Sequence, residues 1–362
     1  MRFEFKTPFA SIVGATLLAA GAQADTIYLT NGDALEDVKV KTEGLDMVSY
    51  SDGGKTQEVK SDEVLRVKFS KKPPKIDTAD SAVETEAYFP AINDLQEFLT
   101  ENSKSPKKFP WANPYALYRV MEINLLIGEY DEAIAAADRV IAEAGDSRYA
   151  TLAHLGKARA LFDSGKADDA VGALGALKAL ASSGAVGNRW SLEADVHEAL
   201  FDTSTKGDAR AKVFKSLATK AGRDFPIVSN RARVAVGEAY LGAKNVEDAE
   251  KAFQEVLKDP QADDRTLAGV YSGLGDCLYA RGESSNGDAQ KDFYRKAVEA
   301  YMRVVVVYDK QFSYVPHSML YAGLAFRGIG DEVSNERASE MLLRVRRRFP
   351  GTREAEEAKS LR

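Results

Sequence analysis

Apolar residues along this chain keep two different rhythms. Between residues 26 and 69 they fall in short runs separated by turn signals. TIYL precedes Asn31-Gly32, ALEDVKVKT carries Leu35, Val38 and Val40, LDMVSYS precedes Asp52-Gly53-Gly54-Lys55, and TQEV and VLRVKF follow. Short alternating runs predict half-buried strands, and Asn-Gly is a favoured hairpin turn. A lone hairpin is unstable, but about five such strands can close into a barrel, so residues 25–69 are expected to form a small all-β barrel domain. From Thr85 onward the rhythm changes. Small and apolar residues return at helical spacing in consecutive segments, which predicts a long run of helices over residues 85–362.

The clearest helical stretch is RARVAVGEAYLGAKNVEDAEKAFQEVLKDP, from Arg231 to Pro260. Gly237 precedes Tyr240, Ala249 precedes Phe253, and a proline follows the second segment. Two helices approach closely only where side chains are small, so Gly and Ala mark a crossing and an aromatic such as Phe253 fills the space beside it. The register returns from Ala116 to Ala142 with its turn at Gly128, and from Leu152 to Ala179 with its turn at Gly165. It returns again around Gly275, Gly282, Ala297, Tyr301 and Val304, and around Gly323, Gly330, Ala338, Leu342 and Val345. In the fourth copy GESSNGDAQKDFYRK reads as an insertion. A degenerate pair, Trp190 to Leu200 with Asp208 to Ala221, fills the space between the second and third copies, and Thr85 to Asn102 is expected to cap the array. The pattern resembles the tetratricopeptide repeat (TPR). The resemblance implies a mainly α fold, a TPR-like α-solenoid of helix pairs, whose usual work is holding other proteins.

In that family the first helix of each pair lines a concave face. Carried over residue by residue, the resemblance places Tyr115, Tyr118 and Glu122 there from the first pair, and Leu155, Arg159, Phe162 and Asp163 from the second. The third pair gives Arg231, Val234, Glu238 and Leu241, the fourth Ser272, Asp276 and Tyr279, and the fifth His317, Leu320 and Arg327. Aromatics mixed with both signs of charge suit a protein or peptide surface. The chaperone-type repeats hold acidic C-termini with Lys and Asn at groove positions. Those positions are Tyr118, Leu155, Val234, Ser272 and Leu320 here, so that clamp is missing.

The first residues bear on the compartment. Arg2 and Lys6 precede an apolar run from Phe9 to Ala20, and Ala22-Gln23-Ala24 follows. This is the form of a cleaved secretory signal over residues 1–24, which predicts a periplasmic or secreted chain starting at Asp25 with no membrane span. Residues 70–84, SKKPPKIDTADSAVE, read as a linker, because Pro73-Pro74 disfavours helix and would leave barrel and array semi-independent. The formal charge is −6. Such a balance is a poor match to nucleic acid or an anionic membrane. The β segment resembles small SH3-like or Sm-like barrels in strand count and order of turns, but its ten acids against six bases argue against RNA. Cys277 is the only cysteine, so no intrachain disulfide can form, and a buried small hydrophobe is expected there.

Nothing in the chain reads as catalytic machinery. His154, His197 and His317 are not at metal-ligand spacing, and there is no phosphate-binding loop, nucleophile elbow or H-E-x-x-H. No enzyme, metal or cofactor is therefore expected. The ending VRRRFPGTREAEEAKSL resembles bacterial envelope repeat proteins, among them outer-membrane assembly factors and Tol–Pal coordinators. The expected function is an exported, non-enzymatic scaffold that holds a protein or peptide partner in cell-envelope assembly. The alternative is a structural envelope protein whose barrel mediates self-association.

Overall fold

The computed structural model describes residues 24–361, and the apolar run expected to act as a signal lies outside them. Five strands come first: β1 (Asp25–Leu29), β2 (Ala34–Glu43), β3 (Met47–Asp52), β4 (Lys55–Lys60) and β5 (Val64–Lys68). They form one antiparallel sheet in the order β4-β3-β2-β1-β5, a meander of β1 to β4 with β5 crossing back to pair with β1, around Ile27, Val38, Val40, Val48 and Val64. Among the described residues no ladder joins β4 to β5, so the hydrogen bonding leaves an open sheet where a closed barrel was expected. Val38 and Val40 are buried, whereas Leu35 is only half-buried. Asp37, at φ 55, lies where the β1–β2 register shifts, and the extra residue moves the inward set from odd to even positions.

Fifteen helices follow in the described chain. They are α1 (Pro74–Glu84), α2 (Tyr88–Glu101), α3 (Ala112–Ile127), α4 (Tyr130–Glu143), α5 (Tyr149–Asp163), α6 (Ala167–Ser182), α7 (Arg189–Phe201) and α8 (Gly207–Ala221). Then come α9 (Pro226–Gly242), α10 (Val246–Leu257), α11 (Asp264–Glu283), α12 (Gly287–Val307), α13 (Val315–Ile329), α14 (Glu332–Arg348) and α15 (Arg353–Ser360).

Two expectations are corrected. Residues 74–84 are helix rather than extended linker. Pro74 occupies the first turn of α1, where a missing N–H costs nothing, and Ile76 and Ala79 are fully buried. The sheet is also tied to the array. Phe69 stacks on Trp111 with ring centroids 3.4 Å apart. The Arg148 amide donates to the Glu43 carbonyl at 3.1 Å, and the Tyr149 hydroxyl donates to the Glu43 carboxylate at 2.6 Å. The second correction concerns GESSNGDAQKDFYRK. It is no insertion: α11 and α12 lengthen to 20 and 21 residues, and the Tyr294 ring packs on Gly282.

The repeat register is otherwise where the sequence put it. Gly128, Gly165 and Gly330 hold left-handed backbone at φ 82, 83 and 79 after α3, α5 and α13, and Lys244 takes the same position after α9 at φ 60. At the crossings aromatic rings sit on helical glycines. Phe253 is wedged against Gly237 and Gly273, and Tyr301 against Gly275. Small residues there let the ring approach the opposing backbone.

The odd-numbered helices from α3 to α13 pack side by side and form the inner face. The array then returns on itself. The Gly351 amide donates to the Ile127 carbonyl at 2.8 Å, and the Arg348 guanidinium lies 3.2 Å from the Glu86 carboxylate. One contiguous apolar core joins the sheet, the first helices and the last helices.

Candidate functional site

Closure of the array leaves a cavity of about 590 Å³ between its two ends. Tyr118, Met121 and Glu122 of α3, Leu155, Arg159, Phe162 and Asp163 of α5, His197 of α7 and Arg265 of α11 form one wall. Residues 310–313, Pro316 and 352–354 form the other. Arg159 spans the two, its Nη1 donating to the Ser313 hydroxyl at 2.6 Å while its Nε reaches Asp163 at 3.4 Å. The Tyr118 hydroxyl donates to Glu122 at 3.1 Å. Burial, and then the neighbouring Glu122 charge, push that phenol far above its ordinary range. Arg119 is shared between Glu122 and Asp80, the latter at 3.0 Å.

Beside the cavity lies a buried charged hub that sequence reasoning missed. Glu193 of α7 is fully buried and takes both Arg231 of α9 and Arg189, the latter at 3.7 Å. Arg189 also donates to the Asp62 carbonyl at 2.8 Å, which ties α7 to the sheet. Burial works to raise the Glu193 carboxyl, but Arg231 and then Arg189 outweigh it and hold it at about 2. The Glu193 carbonyl meets His197 Nδ1 at 2.8 Å, and burial pulls that imidazole down to about 4, leaving it neutral at physiological pH. The Arg231 charge, and then burial, pull Arg265 down to about 10. The signal was present in the sequence, since Arg189, Arg231 and Arg265 all stand near the starts of alternate helices. It was hidden because the repeat holding Glu193 is the most degenerate one.

The expected groove residues divide by place. Tyr118, Glu122, Leu155, Arg159, Phe162 and Asp163 come together in the cavity. Tyr115 instead donates its hydroxyl to Asp80 at 2.7 Å and packs edge-on to Phe69 and Trp111, so it belongs to the contact between α1 and α3. Arg231 is taken by Glu193. Val234, Ser272 and Leu320, expected on the groove, are buried between helices, because the odd-numbered helices pack on each other as well as on their own partners. Asp276 accepts from the Tyr301 hydroxyl at 2.7 Å and pairs with His317 at 2.8 Å. Tyr279 packs against Tyr294 and Tyr321 at 5.3 and 5.4 Å. Glu238 and Arg327 are exposed on α9 and α13, and Leu241 is half-buried. Desolvation by the surrounding helices, and then the Asp276 charge, raise the Glu238 carboxyl above its ordinary range. Cys277 is buried as expected, and burial pushes its thiol up to about 12.

Helix pairs closed by left-handed glycines, crossing on small residues under an aromatic, and stacked on their first helices decide the architecture. The array is a TPR-like α-solenoid. No family model matches the TPR-like chain, and neither does any curated protein. Solved structures similar to it include the C-terminal part of a TPR repeat-containing protein from Cytophaga hutchinsonii, 15% identical, with 78% of this chain and 98% of that one covered and a TM-score of 0.35. A tetratricopeptide repeat protein from Parabacteroides merdae is 13% identical over 79% of this chain and 95% of its own, at 0.42. A TPR repeats protein from Bacteroides fragilis is 14% identical over 80% and 97%, at 0.23. The fold assignment rests on the helix pairs themselves. Among the described residues no helix is long and apolar enough to cross a membrane.

Proposed function

We propose that this chain is an exported, non-catalytic scaffold that holds a protein or peptide partner on the inner face of its TPR-like array, in the work of the cell envelope. The observation that carries the reading is the make-up of the inner face along α9, α11 and α13. There Glu238 and Arg327 are exposed, Asp276 pairs with His317, and Tyr279 and Tyr321 form an aromatic step. Amphipathic aromatics beside both signs of charge are what protein interfaces enrich at their anchors. Photo-crosslinking residues placed at Glu238 and Arg327 in the native host test it, with Val307, 62% exposed at the end of α12, as the outer control. Adducts of one defined mass from the inner positions are expected. Adducts from Val307 alone would refute the reading. Export is supported by the basic start, the short apolar run and Ala22-Gln23-Ala24, and N-terminal sequencing should find Asp25 first.

One observation favours self-association as a second reading. Among the described residues strand β4 pairs only with β3, and its residues are nearly all exposed, so its outer edge is a template for another strand. A defined oligomer in light scattering, lost on replacing Glu58, whose N–H faces the open edge, by Pro, would support that reading over the first.

A further inference from the structure

We propose that the cavity between the ends of the array binds a small organic anion, a carboxylate on an apolar body, with Arg265 and Arg159 holding the charge. This goes beyond the scaffold reading and does not depend on it.

Four observations converge. The first is where polar groups go unpaired. Seven buried side-chain atoms have no hydrogen-bond partner among the described residues, and six of them belong to Arg189, Glu193, Asn230, Arg231, Arg265 and Thr266. These residues lie on the adjacent helices α7, α9 and α11, and of them Arg265 lines the cavity itself. Buried polar atoms are normally paired, so this concentration marks a place suited to a further polar group.

The second is charge. Arg189 and Arg231 share the single carboxylate of Glu193, and Arg265 has no ion pair among the described residues. Two of the nearby acids already have partners. Asp263 caps α11 by accepting from the Thr266 amide at 2.9 Å, and Glu122 is taken by Arg119. Holding guanidiniums together without a matching carboxylate is unfavourable in a buried setting, and an anion bridging them reverses the sign.

The third is the rest of the wall. Met121, Leu125, Leu155, Phe162 and Phe312 give the cavity an apolar half, which a bare inorganic ion would leave unused. Glu122, Asp163 and Glu354 also line it beside Arg159, Arg265, Lys310 and Arg353, so four cations face three acids and the anion's charge belongs at the arginines. The fourth is size. About 590 Å³ falls within the roughly 300–1,000 Å³ range of small-molecule sites. Both ends of the array wall the space, and Arg159 ties across it to Ser313, which suits a compact ligand better than a threaded chain.

Calorimetric titration of the purified full chain with octanoate, octanol and octylamine tests the proposal. Octanoate should bind, more weakly as salt rises, and the neutral and cationic analogues should not. Arg265→Gln should weaken octanoate about tenfold or more, the scale of a charge-assisted hydrogen bond, while Tm holds or rises because a like charge leaves Arg231. Arg159→Gln should weaken it as well. Four results would each overturn the proposal: no octanoate binding at millimolar concentration, octanol binding as well as octanoate, unchanged binding by Arg265→Gln, or a fall of several degrees in its Tm. A short peptide with a free C-terminus that displaces octanoate at far lower concentration would overturn the small-ligand assignment in favour of a chain end.

Discussion

Replacing Gly273 by Ala puts one methyl group at the tightest crossing in the molecule. Its Cβ would lie 2.1 Å from Cζ of Phe253 and 2.5 Å from two further ring atoms, where ordinary contacts begin at 3.4 Å. The ring tip would have to retreat by more than about 1 Å. It cannot slide sideways, because Gly237 on α9 approaches the same edge, with 2.5 Å between its own ideal Cβ and Cζ. Phe253 is fully buried, so withdrawing it separates α10 from both α9 and α11. Overpacking of this kind costs about 1–3 kcal/mol, and the two-sided clamp argues for the upper part of that range. Ala recovers up to about 1 kcal/mol of helix propensity over Gly. The net expectation is a loss of about 2 kcal/mol, read as a lower urea midpoint with unchanged slope. Phe253→Ala alone should cost about 3–5 kcal/mol. In the double variant the methyl finds the space the ring has left, so the two losses should fall short of additive by about 1 kcal/mol or more. A neutral or stabilising Gly273→Ala, or strict additivity, would refute the wedge.

Three further outcomes are expected. Glu193→Gln keeps the shape but leaves Arg189 and Arg231 buried without a counter-charge, so a loss of about 3–5 kcal/mol should appear in thermal or urea melts. His197 is held at about 4 when folded but titrates near 6.5 when unfolded, so the unfolded chain binds the extra proton between those values and stability falls as pH drops through that window. The Tm of His197→Gln should therefore fall less steeply than wild type between pH 6.5 and 4, even though His154, lowered by burial, acts in the same sense and His317, raised because Asp276 outweighs burial, in the opposite one. Gly128→Ala meets the Gly351 backbone at 2.2 Å at a position of φ 82, so it should open the contact between the ends and raise the radius of gyration in small-angle scattering.

What was legible in the sequence was local. Gly128, Gly165 and Gly330 announce helix ends because only a left-handed residue fits there, and Gly237 with Phe253 announces a crossing because small and large must meet. Pro73-Pro74 misled because a proline that breaks a helix interior also suits the first turn, and the deciding fact, burial of Ile76 and Ala79, is tertiary. GESSNGDAQKDFYRK misled because its polar residues form the turn between α11 and α12 and the outward face of α12. The cavity was half legible. Periodicity puts Tyr118, Glu122, Arg159 and Asp163 on one face, but Ser313 and residues 352–354 reach them only through closure of the array, and no neighbouring residue encodes that. Arg265 was missed for the same reason, since its importance lies in two arginines on other helices.

The hydrogen bond between Gly351 and Ile127 has a consequence for how such a protein can change. An open stack tolerates arithmetic: a pair can be gained or lost and the remainder still meets its neighbours. A stack whose last turn must land on the end of α3 cannot. Each pair contributes a fixed rotation and rise, so one pair more or fewer would carry Gly351 past its acceptor. Closure thus makes the number of repeats a fixed quantity of this molecule, and variation in length is confined to the lengths of individual hairpins, as α11 and α12 already show.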